Sequence, residues 1–317
     1  MRNIMITGVS GYLGTRLVQE LGRHEDVGSI IGVDIVAPRR QYPKLDFHAL
    51  DIRDRGLGKL LSDKHIELVY HLAFVVSPIH DLDRMHSVDF HGTRNVLESC
   101  LTAGVRHVIV TSSTLAYGAH PDNPPVLNEN HPLRGNARFP YGHNKAIVDE
   151  MMQIFAQGHP DLKLTILRPC TVFGPTVDNY VSRSLFLPIT ARVMGFDPPV
   201  QFIHEDDFVD ACLKADRHSP GGAFNIAGDG VLKTTEIVRI IGNKALPLPA
   251  FIIYPLYEML WQLHVPLAEA NCGYLDYVCY PFIASNAKAK SVLGFAPRFD
   301  ARQTLEATAA SKKKRHG

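Results

Sequence analysis

From Asn3 to Leu167, short β-branched or apolar runs alternate with longer stretches of helical period, the pattern of a parallel sheet covered by helices. The runs predict strands over 3–7, 29–34, 45–49, 67–73, 106–112 and 163–168. The stretches between them predict helices over 12–22, 55–62, 85–103 and 140–157. Within 85–103, Val88, Val96, Leu97 and Leu101 recur on one face. The order is α/β, a doubly wound parallel sheet. After Arg168-Pro169 the rhythm breaks into pieces punctuated at Gly174-Pro175, Asp197-Pro198-Pro199, Ser219-Pro220-Gly221-Gly222 and Gly228-Asp229-Gly230. A boundary there divides the chain into a first domain over 1–170 and a smaller lobe over 171–317, with segments near 199–227 returning to the first. The run 246–263 is strongly apolar and aromatic, interrupted by Pro249, Pro255 and Glu258. It reads first as a buried helix of the second lobe; the alternatives are an apolar substrate wall or a surface membrane contact.

Composition narrows the partners. The 317 residues are 45% apolar and 21% charged, ordinary for a globular protein of about two domains. With 33 Lys+Arg against 32 Asp+Glu the chain has no general field for nucleic acid or an acidic membrane, so a small molecule at a local site is the expected partner. Five scattered cysteines, Cys100, Cys170, Cys212, Cys272 and Cys279, fit a reducing compartment, and no apolar stretch spans a bilayer; a cytoplasmic location is expected. The basic end, Lys312 to Gly317, reads as a solvated, frayed tail rather than a lipid or RNA contact.

The first chemical signal follows the first strand. Gly8, Gly11 and Gly14 stand as Gly-x-x-Gly-x-x-Gly between strand 3–7 and a helical pattern. In that context Gly8 permits a tight turn, Gly11 lets backbone approach a pyrophosphate, Gly14 brings helix close to sheet, and the helix N-terminus offers N–H groups to phosphates. The second strand ends in Asp34, where a carboxylate accepts the adenosine ribose hydroxyls. It repels a 2′-phosphate, so NAD is favoured over NADP, with Arg39 and Arg40 close enough to soften the preference. Asp51, followed by Ile52, comes after the third strand, placed to face the adenine amino group. The plain alternative for both acids is a solvated loop.

The second signal is Tyr141 and Lys145, one helical turn apart, with Ser113 at a strand end. A free phenol is a poor base at neutral pH; positive charge from Lys145 and an oxidised nicotinamide ring stabilises the phenolate. Ser113 can hydrogen-bond the same substrate oxygen.

The chain resembles the extended short-chain dehydrogenase/reductase family, also called the NAD-dependent epimerase/dehydratase family. Beyond the glycines, Asp34, Asp51 and the Tyr141/Lys145 pair, the match includes His71-Leu72-Ala73, Gly92-Thr93-Arg94-Asn95-Val96-Leu97, Ser112-Ser113 with Tyr117-Gly118, Arg168-Pro169 with Phe173-Gly174-Pro175, and Phe202-Ile203-His204 with Asp207. The resemblance implies a Rossmann-type first domain, NAD as cofactor, and Ser113, Tyr141 and Lys145 as catalytic residues. Tyr141 would be the general acid/base, and Lys145 would also bind the nicotinamide ribose. The expected cofactor contacts are Gly8, Gly11, Tyr12, Leu13, Gly14, Asp34, Asp51, Ile52, Leu72, Ala73, Tyr141, Lys145 and Pro169. It also implies a homodimer through the helices 85–103 and 140–157.

The departures from that family concern the substrate. Asp89 stands where an Asn is common, and Thr114-Leu115 replace the Asp-Glu pair of dehydratases, which disfavours dehydration. Nucleotide-sugar epimerases clamp a diphosphate with two arginines, whose places here fall near Val200 and Leu275. Arg183 or Arg192 are the available substitutes. A buried diphosphate without guanidinium partners is costly, so an apolar alcohol or ketone is favoured, as in the related hydroxysteroid dehydrogenases. A nucleotide-sugar 4-epimerase with retained NAD is the first alternative, and a non-catalytic NAD-sensing protein the second. No metal is expected: His86 and His91, five apart on a helix beside Asp89, share a face poorly. His204 with Asp206 and Asp207 reads as structural, and Cys170 as a core thiol.

Overall fold

The computed structural model describes residues 1–316. β1 (Arg2–Thr7) leads into α1 (Tyr12–Leu21), followed by β2 (Val27–Asp34), β3 (Leu45–Ala49), α2 (Leu57–Asp63) and β4 (Leu68–His71). α3 (Leu82–His86) passes through a π turn (Ser87–Gly92) into α4 (Thr93–Ala103). β5 (His107–Thr111), a 3-10 turn (Thr114–Tyr117), α5 (Pro140–Gly158) and β6 (Lys163–Pro169) complete the regular part. Then come β7 (Thr171–Phe173), α6 (Tyr180–Leu185), β8 (Ile189–Val193), β9 (Pro199–Val200), β10 (Phe202–His204), α7 (Glu205–His218) and β11 (Gly222–Ile226). The chain ends with β12 (Leu232–Lys233), α8 (Thr234–Ile241), β13 (Lys244–Leu248), α9 (Ala250–Gln262), α10 (Asp276–Cys279), α11 (Ala287–Leu293) and α12 (Ala301–His316).

Among the described residues seven parallel strands form the main sheet in the order β11-β6-β5-β4-β1-β2-β3. Alternation along β1 sends Ile4 and Ile6 into a core with Leu17 of α1 and Phe208 of α7, and Met5 into a second core with Leu57, Val96 and Val148 on the other face. Both faces are covered, which is why these strands read as continuous apolar runs. The strand order reverses between β1 and β4, and a ligand crevice forms at such a point, beyond the carboxyl ends of the strands. β11 brings residues 222–226 back beside β6.

Three expectations change here. The helix expected over 85–103 is broken by the π turn, which inserts an extra residue between Val88 and the rest of the expected face; within α4, Val96 and Leu97 are buried and Leu101 is exposed. The 246–263 run is not a buried helix: it is split between β13 and α9, and Ile253 is the one fully buried residue of α9. Among the described residues no helix is long and apolar enough to cross a membrane. The basic end is helical as far as His316 rather than frayed, and Gly317 lies outside the described residues.

Candidate active site

A cavity of about 1180 Å³ opens at the carboxyl ends of the strands. Every candidate residue lines it: Gly8, Gly11, Tyr12, Leu13 and Gly14 from the first loop, Asp34, Asp51 and Ile52 beyond β2 and β3, Leu72 and Ala73 after β4, Pro169 from β6, and Ser113, Tyr141 and Lys145.

The glycine loop is dictated by crowding. Gly8 has φ +73°, and a Cβ there would lie 2.6 Å from the Ala73 amide nitrogen. A Cβ on Gly14 would lie 2.2 Å from the Gly8 carbonyl oxygen. α1 starts from Gly11 with no side chain capping its first amides, so the N–H groups of a ten-residue helix face the cavity. The Asp34 carboxylate is held over this loop by the Ser10 N–H at 3.0 Å and the Val36 N–H at 3.2 Å. Asp51 lines the cavity with its carboxylate gripped by Arg53, which lowers its pKa. Arg39 also lines the cavity, whereas Arg40 turns onto the Tyr42 ring. A turn that excludes side chains, open amides and a carboxylate at the strand end together fit a dinucleotide.

At the reactive end Pro140 opens α5, its missing N–H costing nothing there, and Tyr141 and Lys145 follow on one face. Ser113 caps the 3-10 turn by accepting from the Leu115 N–H at 3.1 Å, leaving its own O–H to donate. Lys145 is 3% exposed; its Nζ donates to the Thr111 carbonyl at 2.9 Å and lies 3.4 Å from the Phe74 ring centroid. Phe74 also meets Tyr141 edge-on at 5.9 Å between centroids. Burial pushes Lys145 below its ordinary value, opposed by the charges of Asp89 and Asp149. Burial also pushes the Tyr141 phenol above its ordinary value, with Asp89 adding to the rise. In this geometry the Lys145 ammonium, bonded to the Thr111 carbonyl, lies 5.9 Å from the Tyr141 ring centroid: positive charge near the phenol without a hydrogen bond to it.

Beneath the site, His71 bridges β1 and α4, with Nδ1 2.6 Å from Thr7 Oγ1 and Nε2 3.0 Å from Thr93 Oγ1; burial pushes it down to about 3 and keeps it neutral. The buried Arg168 grips Asp149 through Nε at 2.9 Å and Nη2 at 2.8 Å, and Ser112, next to Ser113, donates to the same carboxylate at 2.6 Å. Phe74, Thr111, Asn144 and Asp149 were not singled out by sequence reasoning; position on α5, a strand end or a loop carries no chemical signature by itself.

Beyond Tyr141 the cavity turns apolar. Ile253, Leu256, Tyr257 and Leu260 of α9 line it, with Tyr274, Val278 and Phe282, and so do Val200 and Leu275. Arg183 is ion-paired with Asp178 and Glu269 and does not line the cavity; Arg192 lines it but is tied to Asp197 at 3.1 Å. His86 and His91 do share a face, their rings 5.7 Å apart, because the wider, i→i+5-bonded π turn brings residues five apart onto the same side. Asp89 points inward, and among the described residues no group of three or more His, Cys, Asp or Glu could hold a metal. His204 caps α7 and stacks on Phe299 at 4.0 Å, Asp207 holds Arg298, and Cys170 is buried.

Residues 4–227 match the NAD dependent epimerase/dehydratase family. A UDP-glucose 4-epimerase of Mycolicibacterium smegmatis is 28% identical, with 93% of each chain covered. A 3β-hydroxysteroid-dehydrogenase/decarboxylase of Arabidopsis thaliana is 23% identical over 99% of this chain and 64% of its own length. The solved structure of a Bacillus cereus UDP-glucuronic acid 4-epimerase in complex with NAD superimposes with a TM-score of 0.75 at 19% identity, covering 99% of this chain and all of the other. Sheet order, glycine loop and sequence match agree: this chain belongs to the NAD-dependent epimerase/dehydratase family, a family of enzymes, and its cofactor is NAD.

Proposed function

We propose that the protein is an oxidoreductase that moves a hydride between NAD and an apolar secondary alcohol or ketone. In this reading Gly8, Gly11 and Gly14 with the α1 amides seat the pyrophosphate, Asp34 takes the adenosine ribose, and Tyr12, Leu13, Asp51, Ile52, Leu72, Ala73 and Pro169 line the rest of the cofactor site. NAD, when bound, accepts or returns the hydride. Ser113 donates a hydrogen bond to the substrate oxygen, Tyr141 takes the hydroxyl proton as the carbon gives up its hydride, and Lys145 holds the nicotinamide ribose and keeps positive charge beside the phenol. Residues 1–170 then form the cofactor unit and 171–317 chiefly the substrate lobe. Five free, buried cysteines support a cytoplasmic setting, and we assign dimer contacts to the helical segments 85–103 and 140–157 on family resemblance.

The observation that carries the apolar substrate is the wall beyond Tyr141: α9 and residues 274–282 supply apolar and aromatic side chains, Val200 and Leu275, near which the diphosphate-clamping arginines would fall, line the cavity, and Arg192 is already paired. The second reading, a nucleotide-sugar 4-epimerase with retained NAD, is favoured by the 28% identity to the mycobacterial UDP-glucose 4-epimerase. The test adds excess NAD and follows NADH absorbance with apolar secondary alcohols, including hydroxysteroids, in one series and nucleotide sugars in another. NADH accumulation with the first supports the dehydrogenase; conversion of a nucleotide sugar without net NADH replaces it by the epimerase. Tyr141→Phe lowers turnover roughly 10²- to 10⁴-fold while NAD affinity holds. An unchanged phenotype would instead support an NAD-sensing role without catalysis.

A further inference from the structure

We propose that Asp89 is a positioning residue: through Asn144 and the Val75 amide it locks the Phe74 loop to α5, and its carboxylate keeps the neighbouring Lys145 an ammonium. The inference rests on the reading of Lys145 as a working residue of the hydride-transfer site.

The geometry begins with the π turn. Ser87–Gly92 widens the helix between α3 and α4, and Asp89 faces inward with no exposed surface. One carboxylate oxygen accepts from the Val75 N–H at 2.8 Å and the other from the Asn144 side-chain amide at 3.0 Å. Both donors are neutral, and a buried carboxylate with neutral donors still needs a countercharge. Among the groups around it, Tyr141 and Asn144 on α5, Phe74 and Val75 on the loop and the neutral His71 at the end of β4, the cation that acts on Asp89 is Lys145, one residue along from Asn144. The other carboxylate acting on Lys145, Asp149, is already matched by the two-pronged grip of Arg168. Lys145 in turn touches a carbonyl and a ring face but no carboxylate. Asp89 and Lys145 are therefore each other's unmatched charge. Burial pushes the carboxyl up and the ammonium down, and each charge opposes the other's shift. The Val75 bond adds the mechanical half, because Val75 follows the Phe74 whose ring lies against Lys145.

Asp89→Asn is the discriminating variant. It keeps an oxygen for the Val75 N–H, Asn144 can flip its amide to complete the pair, and only the charge is lost. Reductive methylation with formaldehyde and cyanoborohydride, which reach Lys145 through the cavity, is followed by mass spectrometry from pH 6 to pH 10 in the whole protein without substrate. The midpoint of Lys145 labelling against pH moves down by about one unit in Asp89→Asn, making Lys145 roughly tenfold more reactive at a pH below both midpoints. The double variant Asp89→Asn/Asn144→Asp, which moves the carboxylate across the same hydrogen bond, brings the midpoint back. If Asp89→Asn does not fold, the double variant alone decides: a midpoint like that of the unaltered protein supports the proposal, and one shifted down overturns it. An unmoved midpoint in a folded Asp89→Asn also overturns it, leaving Asp89 a purely structural residue. Turnover of Lys145→Met judges the functional reading separately: if turnover persists, Lys145 is not a working residue, whatever the labelling says of its charge.

Discussion

The two ends of the cavity are built by different means. At the end where we propose that NAD binds, the lining is shaped by backbone: a left-handed glycine, a helix start with open amides and a strand end carrying Asp34, all within one βαβ unit. At the end we propose for the substrate, the lining is made of side chains from β9, α9 and the 274–282 segment, brought together from distant parts of the chain. On this contrast we expect the first to tolerate little change in shape, and the second to tolerate changes of shape but not of polarity.

The largest effect expected from this contrast is at Gly14. A methyl group there meets the Gly8 carbonyl at 2.2 Å and the Val9 Cα at 2.8 Å, both backbone atoms that cannot swing aside. Gly14→Ala costs about 3 kcal/mol of overpacking. If that falls on the bound conformation, NAD affinity drops roughly hundredfold. Isothermal titration with NAD checks it; an affinity within a factor of three of the original would mean that the loop is softer than its contacts imply.

Val200→Arg probes the other end. A guanidinium set into the apolar wall lowers the affinity for an apolar alcohol by about 2 kcal/mol, roughly thirtyfold, and leaves NAD affinity unchanged. Equilibrium binding of both ligands to the same variant is the measurement. Loss of both would show that the two ends are coupled rather than separate. A gain for a nucleotide sugar would turn the comparison towards the epimerase.

The same contrast explains what the sequence made legible. The glycine spacing, Asp34 and the Tyr141/Lys145 turn could be read because each is a local constraint: one backbone shape, one strand end, one helix face. α9 could not. A segment apolar all round reads as buried. Here its apolar side chains border a cavity on one side and solvent on the other, with Phe251 78% exposed and Met259 51% exposed. Hydrophobic pattern records dislike of water, not whether the neighbour is protein or an empty pocket. The π turn was hidden for a related reason: a helical period of 3.6 assigns His86 and His91 to different faces, and nothing in residue identity announces one extra residue in the turn.

His71 ties acid sensitivity to the cofactor end. Buried between Thr7 and Thr93 and pushed down to about 3, it stays neutral in the folded protein, whereas the unfolded chain protonates it below about 6.5. Its folded value is depressed, so the stability it contributes is present above that unfolded value and lost as pH falls towards 3. Between pH 7 and pH 5 the loss is about 2 kcal/mol. Urea unfolding at the two pH values shows it: His71→Asn is less stable at pH 7 for want of its threonine bonds, yet declines by about 2 kcal/mol less on acidification. Equal declines would place the acid-sensitive group elsewhere.

The smallest expected effect tests whether the cofactor end also contains a side-chain-encoded choice. Asp34 is held by two backbone N–H groups, so Asp34→Asn leaves the loop in place and removes only the negative charge. NAD affinity then falls by about 1 kcal/mol, near fivefold, as a charged acceptor for the ribose hydroxyls becomes a neutral one. NADP moves the other way, because the repulsion of its 2′-phosphate is gone and Arg39 already lines the cavity. Titrating both cofactors into both proteins at low and high salt separates the two causes. An NADP gain that fades with salt belongs to charge; equal losses of both cofactors would mean that Asp34 serves the loop's shape, and that this end of the cavity is backbone throughout.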